Sequence, residues 1–553
     1  MTEEEPRLVD TGRGYTIFYR GKSLYSPQDP LRAAVRRVER LELQPRSLIF
    51  IPSLGLGYGL AELLEKLPDS CHILCIEADE RLFRLAVSEA QPLPTGSRLT
   101  ILRTARPDQA AAVVQQLGPW RFRRVRQLHL CGGYQFHRRT YRMLLEAVEE
   151  EIRLFWQNKL TLMAMNELWL KNLFTNLRCL PGAGDIADLA TSLPILVCGA
   201  GPSLEGSLAW IEGIRKQVIL LSVDTAVPVL AAAGLIPDWV FTLDAQLYTL
   251  QDFLPCRDSR ITLLCDLTAN PQSLRLFPRL YFFSTRFHPL SLFDRLEAAS
   301  LLPSSLPPRG SVGVSAVEAA LSVTTGPVLF TGLDFGYPRN QTHARGAPFH
   351  LNTLHSCTRL QPCGMKAFET LLARPRLWLQ GKGGQRLLTD LVLHSYARQL
   401  RTVNTDSLRS FDLSAEGLPV GGRRVETVSQ LIDLCTRDPE TSAGKAGSAS
   451  RSRFGVPLST DPGSVQRFCE QEQGLLAEVV RSIGQSDRVL SRALAPVGYL
   501  QLSLPEVNPD RTLSPANLSR IAGQAKRLSL YLQRTRSALS DTRCCSPRSD
   551  PAQ

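Results

Sequence analysis

Short apolar runs, each followed by glycine or proline, recur along the chain to about residue 425, and their order predicts alternating strands and helices. Near the start, apolar runs at 47–51 and 73–76 flank a glycine turn and an amphipathic segment at 60–67. The second run leads to Glu77. This order of strand, glycine turn, helix, strand and acidic residue predicts a Rossmann-like N-terminal domain over residues 1–150.

The same alternation is clearer in residues 190–425, after a predicted helical connection at 151–189 whose apolar residues recur at helical spacing. Strand-like runs separated by helical segments predict a mostly parallel, doubly wound α/β domain. These runs lie at 195–198, 218–223, 239–243, 261–265, 280–283 and 328–331.

The C-terminal part changes character. Residues 426–463 include a stretch rich in Ser, Gly and Ala that is typical of a flexible linker. Amphipathic patterns at 465–490 and 516–539 predict two helices within a helical region over 464–540. Residues 541–553 are expected to be a disordered tail.

Composition narrows the class of protein. The 553 residues carry a net charge of +12 with no long block of like charges, which favours a basic surface over a nucleic-acid site. The thirteen cysteines include no CxxC pair, so we expect neither a zinc site nor a disulfide framework. No secretory signal is recognisable, and no uncharged apolar run reaches about 18 residues. We therefore expect a cytoplasmic protein without a membrane span.

Polar residues follow several of the predicted strands, where open α/β sheets bind their ligands. The first is a glycine turn leading into a helix that we expect to begin at a serine cap, leaving bare N–H groups for a phosphate. Each residue alone has a structural explanation as a turn or a cap, but together they favour one shared site. The candidate substrate-binding residues are Gly199, Gly201, Pro202, Ser203, Leu204, Asp224, Asp244, Gly310, Ser311, Gly332, Asp334, Phe335, Tyr337 and Thr342.

Histidines are few, and three of them, His343, His350 and His355, lie in one polar segment. A group with a pKa near neutrality suits the deprotonation of a hydroxyl acceptor. For any one of these histidines, a hydrogen bond to a backbone carbonyl is the more common role.

Several familiar sites are excluded by their motifs. The chain has no GxxxxGK[ST] loop, no Asp-x-Asp clamp, no Gly-x-Ser-x-Gly elbow and no HExxH helix. Because the Asp-x-Asp clamp is missing, the motifs require no bound metal, although Mg²⁺ as a cofactor is left open. The turn Gly55-x-Gly57-x-Gly59 with Glu77 is a weak signal for NAD or S-adenosylmethionine, and a scaffold domain is the favoured interpretation.

The order of the motifs resembles the MptE-like domain of the motility accessory factor (Maf) family. The resemblance rests on the 199–204 turn, Asp224-Thr-Ala, Pro237-Asp238 with Asp244, Gly310-Ser-Val-Gly, and Gly332-Leu-Asp-Phe335 followed by Thr342-His343. It implies a Rossmann-like N-terminal domain, a central doubly wound GT-A/sialyltransferase-like α/β domain and a helical C-terminal region.

The resemblance also implies a function: transfer of a pseudaminic or legionaminic type of sugar from a CMP-activated donor to Ser or Thr of flagellin. The 199–204 turn and Asp224 would line the CMP site, Gly310 and Ser311 would lie near the cytidine, and 334–337 near the phosphate. Tyr337 or Arg339 would act on that phosphate.

The chain departs from the similar sialyltransferases at two points. This chain has Ala200 and Asp224 at positions where the sialyltransferases carry Asn. The catalytic His of those enzymes does not align cleanly with a histidine of this chain. His343 and His355 therefore both remain candidates for the catalytic base.

Two other functions stay open. One is an ATP-dependent 6-hydroxymethyl-7,8-dihydropterin pyrophosphokinase, and the other is a non-catalytic flagellin-binding accessory protein. An S-adenosylmethionine methyltransferase whose site is centred on residues 55–77 is a fourth hypothesis, with less motif support. The sugar, the accepting flagellin residues and the oligomeric state do not follow from the sequence.

Overall fold

The computed structural model describes residues 5–89, 93–256, 258–405, 408–436, 458, 461–504 and 513–540. They form two compact units, which divide the chain between Ala164 and Met165, inside the expected helical connection. The second unit contains both the central sheet and the C-terminal helices.

The first unit holds a small antiparallel sheet of order β1-β2-β3 and a parallel sheet of order β6-β5-β4-β7. Its strands are β1 (Arg7–Asp10), β2 (Tyr15–Tyr19), β3 (Lys22–Ser23), β4 (Ser47–Pro52), β5 (His72–Glu77), β6 (Leu99–Arg103) and β7 (Arg124–Gln127). Its helices are α1 (Pro30–Glu39), α2 (Leu60–Lys66), α3 (Glu80–Glu89) and α4 (Pro107–Leu117), and α5 (Arg138–Asn176) begins in it and ends in the second unit.

Strand β4 shows why its sequence is uniformly apolar. Ile49 and Ile51 lie in one core cluster, whereas Leu48 and Phe50 lie in another. Because successive side chains of a strand point to opposite faces, both faces of this sheet are covered, as parallel sheets require. The predicted Rossmann-like domain is confirmed.

The second unit is built on nine parallel strands in the order β18-β17-β14-β9-β10-β11-β12-β13-β8. A hairpin, β15 with β16, lies outside this sheet. The strands are β8 (Gly184–Asp185), β9 (Ile195–Cys198), β10 (Ile219–Val223), β11 (Trp239–Thr242), β12 (Thr262–Asp266), β13 (Arg279–Phe283), β14 (Val328–Thr331), β15 (Arg376–Gln380), β16 (Arg386–Asp390), β17 (Ser410–Asp412) and β18 (Arg423–Arg424).

Fourteen further helices belong to the described part of this unit. They are α6 (Ser203–Ile214), α7 (Val227–Ala232), α8 (Leu250–Phe253), α9 (Pro271–Leu274), α10 (Ser291–Ala298), α11 (Val312–Val323), α12 (Pro348–His355), α13 (Cys363–Leu372), α14 (Leu391–Thr405), α15 (Val428–Thr436), α16 (Pro462–Ser482), α17 (Asp487–Leu494), α18 (Tyr499–Leu502) and α19 (Pro515–Ser540).

A buried ion pair helps to explain why the C-terminal helices belong with the sheet. Glu472 on α16 is fully buried and receives two hydrogen bonds, of 2.7 and 2.9 Å, from the Arg295 guanidinium on α10. The Tyr499 hydroxyl donates a third, of 2.7 Å. Breaking such a pair would leave a buried charge unpaired, so it holds the helices firmly against the domain.

The predicted α/β fold class with a helical C-terminal region is confirmed, and the strand at 195–198 has the predicted bounds. The single helix predicted over 465–490 is wrong, because α16 and α17 are separated by Gly484 at φ 89°. The expected linker at 426–463 is wrong over 428–436, which form α15, and most of its remainder, like the whole tail at 541–553, lies outside the described residues. No helix of the part described is long and apolar enough to cross a bilayer.

Candidate functional site at the carboxyl edge of the central sheet

The strand order of the second unit reverses between β9 and β14. From β9 the chain moves outward through β10, β11, β12 and β13, and it then returns to add β14 and β17 on the other side of β9. Loops that leave adjacent strands in opposite directions open a crevice at the carboxyl edge, where open α/β sheets bind ligands. The 199–204 turn follows β9 and the 332–335 turn follows β14, so both lie at this point.

The two turns pack backbone against backbone. A Cβ placed on Gly199 would lie 2.5 Å from the carbonyl oxygen of Gly332, and one on Gly332, whose φ is 69°, would meet the carbonyl of Gly199. The Gly201 N–H donates to the Gly332 carbonyl at 2.8 Å. These glycines therefore allow the loops to approach each other, a role distinct from direct ligand contact.

The first turn of α6 is already occupied by a carboxylate. The Ser203 N–H donates to Asp334 Oδ2 at 2.9 Å, and Pro202, not Ser203, is the cap residue. The expectation of bare N–H groups behind a serine cap is thus wrong. The side chain of Leu204, expected near the substrate, is fully buried in the core and serves packing.

Asp334 is 2% exposed, and its Oδ1 has no hydrogen-bond partner within the described residues. Burial raises the pKa of this carboxyl to about 6, although the hydrogen bond from Ser203 opposes the rise. A carboxylate at a helix N-terminus is favoured by the helix dipole. Asp334 thus takes the place that the sequence suggests for a phosphate.

Residues beyond the predicted set complete this buried centre. The Ser203 hydroxyl donates to Ser414 Oγ at 3.0 Å, and the Lys382 ammonium lies 2.6 Å from Asp412 Oδ2. Asp412 ends β17 and could have been found by the strand-end rule. Lys382 lies in a loop, Gly381-Lys382-Gly383, without a local signal of its role.

The segment after β14 folds back over the glycine turn. The Ala344 N–H donates to the Ala200 carbonyl at 2.8 Å, and Arg345 pairs with Glu205 on α6 at 2.7 Å. Arg339 donates to the Pro202 carbonyl at 3.3 Å, pairs with Glu416 at 3.3 Å and is 52% exposed. Arg339, Asn340 and Phe335 have positive φ, a strained backbone that is often found at functional sites.

The candidate histidines are placed differently. His343 precedes the residue tied to the glycine turn, its Nδ1 is buried without a partner among the described residues, and its ring centroid lies 5.1 Å from that of Phe349. Burial lowers its pKa, so the imidazole is neutral at pH 7. His355 is exposed at the end of α12. The structure brings only His343 to the glycine turn.

Carboxylates gather after β10 and β11. Asp224 is buried, accepts 2.8 Å hydrogen bonds from Thr242 Oγ1 and the Thr225 N–H, and has its pKa raised to about 6, chiefly by burial. Burial and then the charges of Asp224 and Asp244 raise the pKa of Asp252 to about 8. Asp252 is therefore protonated at pH 7, and sequence reasoning missed it because α8 is a short helix away from any strand end.

Gly310 and Ser311 lie at the start of α11. Ser311 is its cap residue but makes no side-chain hydrogen bond to the helix. A Cβ on Gly313, in the first turn, would meet the side chain of Leu333, so this helix terminus adjoins the loop after β14. The terminus of α11 is thus less occupied than that of α6 and better suited to an anion.

The remaining predicted residues have clear surroundings. The Tyr337 hydroxyl donates to Asp390 Oδ2 at 2.7 Å, and Asp390 itself caps α14. Phe335 is 8% exposed and packs near Tyr396. Thr342 and Asp244 are half-buried. No three His, Cys, Asp or Glu side chains of the described residues are arranged to hold a metal ion.

In the first unit, the acidic residue that accompanies the glycine turn is already hydrogen-bonded to the protein. Glu77 accepts hydrogen bonds of 2.7 to 3.0 Å from Tyr141, Ser53, the Leu54 N–H and the Asp79 N–H. A carboxylate with four internal donors has little capacity left for a ribose. This supports a scaffold role for the first unit.

Three comparisons place the chain among known proteins. The family model described as 6-hydroxymethylpterin diphosphokinase MptE-like matches residues 168–340. An uncharacterized protein of Treponema pallidum (strain Nichols) is 30% identical over 451 residues, which are 79% of this chain and 78% of that protein. A second protein of the same organism is 33% identical over 81 residues, 14% of this chain and 39% of its own length.

The solved structure of a Maf glycosyltransferase from Magnetospirillum magneticum AMB-1 has the same fold. Its TM-score is 0.57 at 16% identity, with 97% of this chain and 90% of that chain covered. With residues 168–340 matched by the MptE-like model and most of its length shared with the treponemal protein, the chain carries an MptE-like domain and belongs to the same family as that uncharacterized protein.

Proposed function

We propose that the protein is a glycosyltransferase that moves a nonulosonic sugar from a CMP-activated donor to Ser or Thr of flagellin. The observation that carries the proposal is the convergence of Arg339, His343 and the terminus of α11 at the point where the strand order reverses. The shared fold with a Maf glycosyltransferase supports it.

The donor phosphate would lie between α11 and the loop after β14. Because Asp334 fills the terminus of α6, the first turn of α11 offers the N–H groups for a phosphate oxygen. The exposed guanidinium of Arg339, beside the glycine turn, would neutralise the charge that develops as CMP leaves. The Tyr337 hydroxyl is held by Asp390 at 2.7 Å, whereas Arg339, although it pairs with Glu416 at 3.3 Å, remains 52% exposed and is the better candidate.

The acceptor hydroxyl needs a base and a fixed direction of attack. His343 is neutral at pH 7 and can take the proton as the acceptor oxygen bonds to the anomeric carbon and the bond to the CMP oxygen breaks. The protonated Asp252 and the ionised Asp224 provide a hydrogen-bond donor and an acceptor beside β10 for sugar or ribose hydroxyls.

The test is calorimetric titration of the purified protein with CMP and with ATP, followed by mass spectrometry of flagellin incubated with a CMP-nonulosonic sugar. We expect CMP binding that weakens in Arg339→Gln and is unchanged in Arg398→Gln, an exposed control on α14. The transfer should add one sugar mass per modified residue. Binding of ATP alone, with no transfer, would refute the proposal.

Pyrophosphoryl transfer from ATP to 6-hydroxymethyl-7,8-dihydropterin is the second candidate, and the family model over 168–340 favours it. Its expected signature is Mg²⁺-dependent AMP release in the presence of the pterin. A third outcome, flagellin binding that survives the loss of both His343 and His355 with no chemistry in either assay, would indicate an accessory binding protein.

A further inference from the structure

A cavity of about 450 Å³ in the second unit lies apart from the glycine turns. Its walls come from α5, the following turn, α9 and α19, and Leu247 connects it to the loop after β11. This volume falls in the range of small-molecule sites. The described residues that line it include four cations, Lys171, Arg178, Arg275 and Arg534, and no carboxylate.

Within the described part of the chain, no ion pair neutralises these four cations. Elsewhere in the chain arginines form many ion pairs, for example Arg215 with Asp238 at 2.9 Å. None of the four has an acidic partner among the residues that the structure describes. Lys171 and Arg178 are half-buried, whereas Arg275 and Arg534 are exposed. Like charges that share one cavity repel each other, and an anionic ligand would relieve this repulsion.

The other lining groups suit a small organic anion. The exposed Gln272 side chain offers an amide donor beside the cations, and the ring of Tyr531 lies 5.7 Å from the Lys171 ammonium. The Asn172 side chain donates to the Ala245 and Thr268 carbonyls at 2.9 and 3.0 Å, which fixes α5 against the loops after β11 and β12. Asn172, itself a lining residue, therefore anchors the α5 wall of the cavity to these two loops.

We propose that this cavity binds a small polyanion with at least two negative charges, such as a phosphorylated metabolite, at a site separate from the donor site. Guanidinium groups recognise phosphate and carboxylate oxygens by paired hydrogen bonds, and two half-buried cations reduce the competition from water. The proposal does not depend on glycosyl transfer.

Calorimetric titration of the full chain with inorganic pyrophosphate at low ionic strength tests it. We expect saturable binding that weakens about tenfold or more in the double variant Arg275→Gln/Arg534→Gln, because charged hydrogen bonds are lost. Both side chains are exposed, so the variant should fold, and an unchanged thermal midpoint checks this. Arg520→Gln, also exposed on α19 but outside the cavity, is the matched control.

Three results would overturn the proposal: no pyrophosphate binding, binding that survives the double substitution, or an equal loss in Arg520→Gln. Titration with CMP separates the two sites. CMP affinity should be unchanged in the double variant and reduced in Arg339→Gln. If the double variant loses CMP affinity, the cavity is the nucleotide site and the claim of a separate site fails.

Discussion

The Asp334 carboxylate accepts a 2.9 Å hydrogen bond from the Ser203 N–H, which joins the loop after β14 to the first turn of α6. The same carboxyl is buried, and its pKa is raised to about 6. It therefore holds the two turns together and also makes their stability depend on pH.

We expect Asp334→Asn to stabilise the protein at pH 8. The folded state binds this proton more tightly than the unfolded state, so the contribution is fully present below about pH 4 and is lost as the pH rises through about 6. The amide keeps an acceptor for Ser203 without the buried charge, which should add about 1–3 kcal/mol at pH 8. Urea unfolding at pH 8 and pH 4 measures it, and the two proteins should converge at pH 4.

Asp334→Ala serves as the comparison. It removes the acceptor and leaves the Ser203 N–H unpaired, so it should gain about 1–3 kcal/mol less than the Asn variant at pH 8. Equal stability of the two variants would contradict the assignment of this hydrogen bond.

Gly332→Ala should destabilise the second unit by about 2 kcal/mol or more. Its φ is 69°, and the added methyl group would meet the Gly199 carbonyl. Gly206→Ala on α6 is the matched control, since no atom of the described residues lies within 4 Å of a Cβ there. That control should raise stability by about 0.5–1 kcal/mol. Thermal unfolding measures the stability of both variants. Midpoints that shift in the same direction would contradict the packing argument.

The strands could be predicted because buried parallel strands are uniformly apolar, as at Ile195–Cys198. The glycine turns could also be located, but not what fills them. Ser203 and Asp334 are 131 residues apart, and no local pattern shows that a carboxylate takes the expected place of a phosphate. Gly484 marks the break between α16 and α17 in the sequence, but the amphipathic spacing across it favoured one continuous helix.

The proton on Asp252 gives a second pH dependence. Its pKa of about 8 means that its contribution to stability is present below about pH 4 and falls by about 1.4 kcal/mol per pH unit until about pH 8. We expect Asp252→Asn to flatten the decline of unfolding free energy between pH 5 and 8. Asp258→Asn, which removes the partner of the exposed Arg260, is the control and should leave that slope unchanged. If the unfolding free energies of Asp252→Asn and of the parent protein decline with pH at the same slope, Asp252 is ionised.

His343 provides the sharpest test of chemistry at the site. His343→Gln should lower kcat for sugar transfer about 10²–10⁴-fold, the usual effect of losing a general base, while CMP affinity is kept. Because burial lowers the pKa of His343, the acidic limb of the parent pH–rate profile should lie below pH 6.5. His355→Gln, at an exposed site away from the glycine turn, should retain activity. A reversed result, with activity lost only in His355→Gln, would move the base to the end of α12 and require the loop over the glycine turn to have a purely structural role.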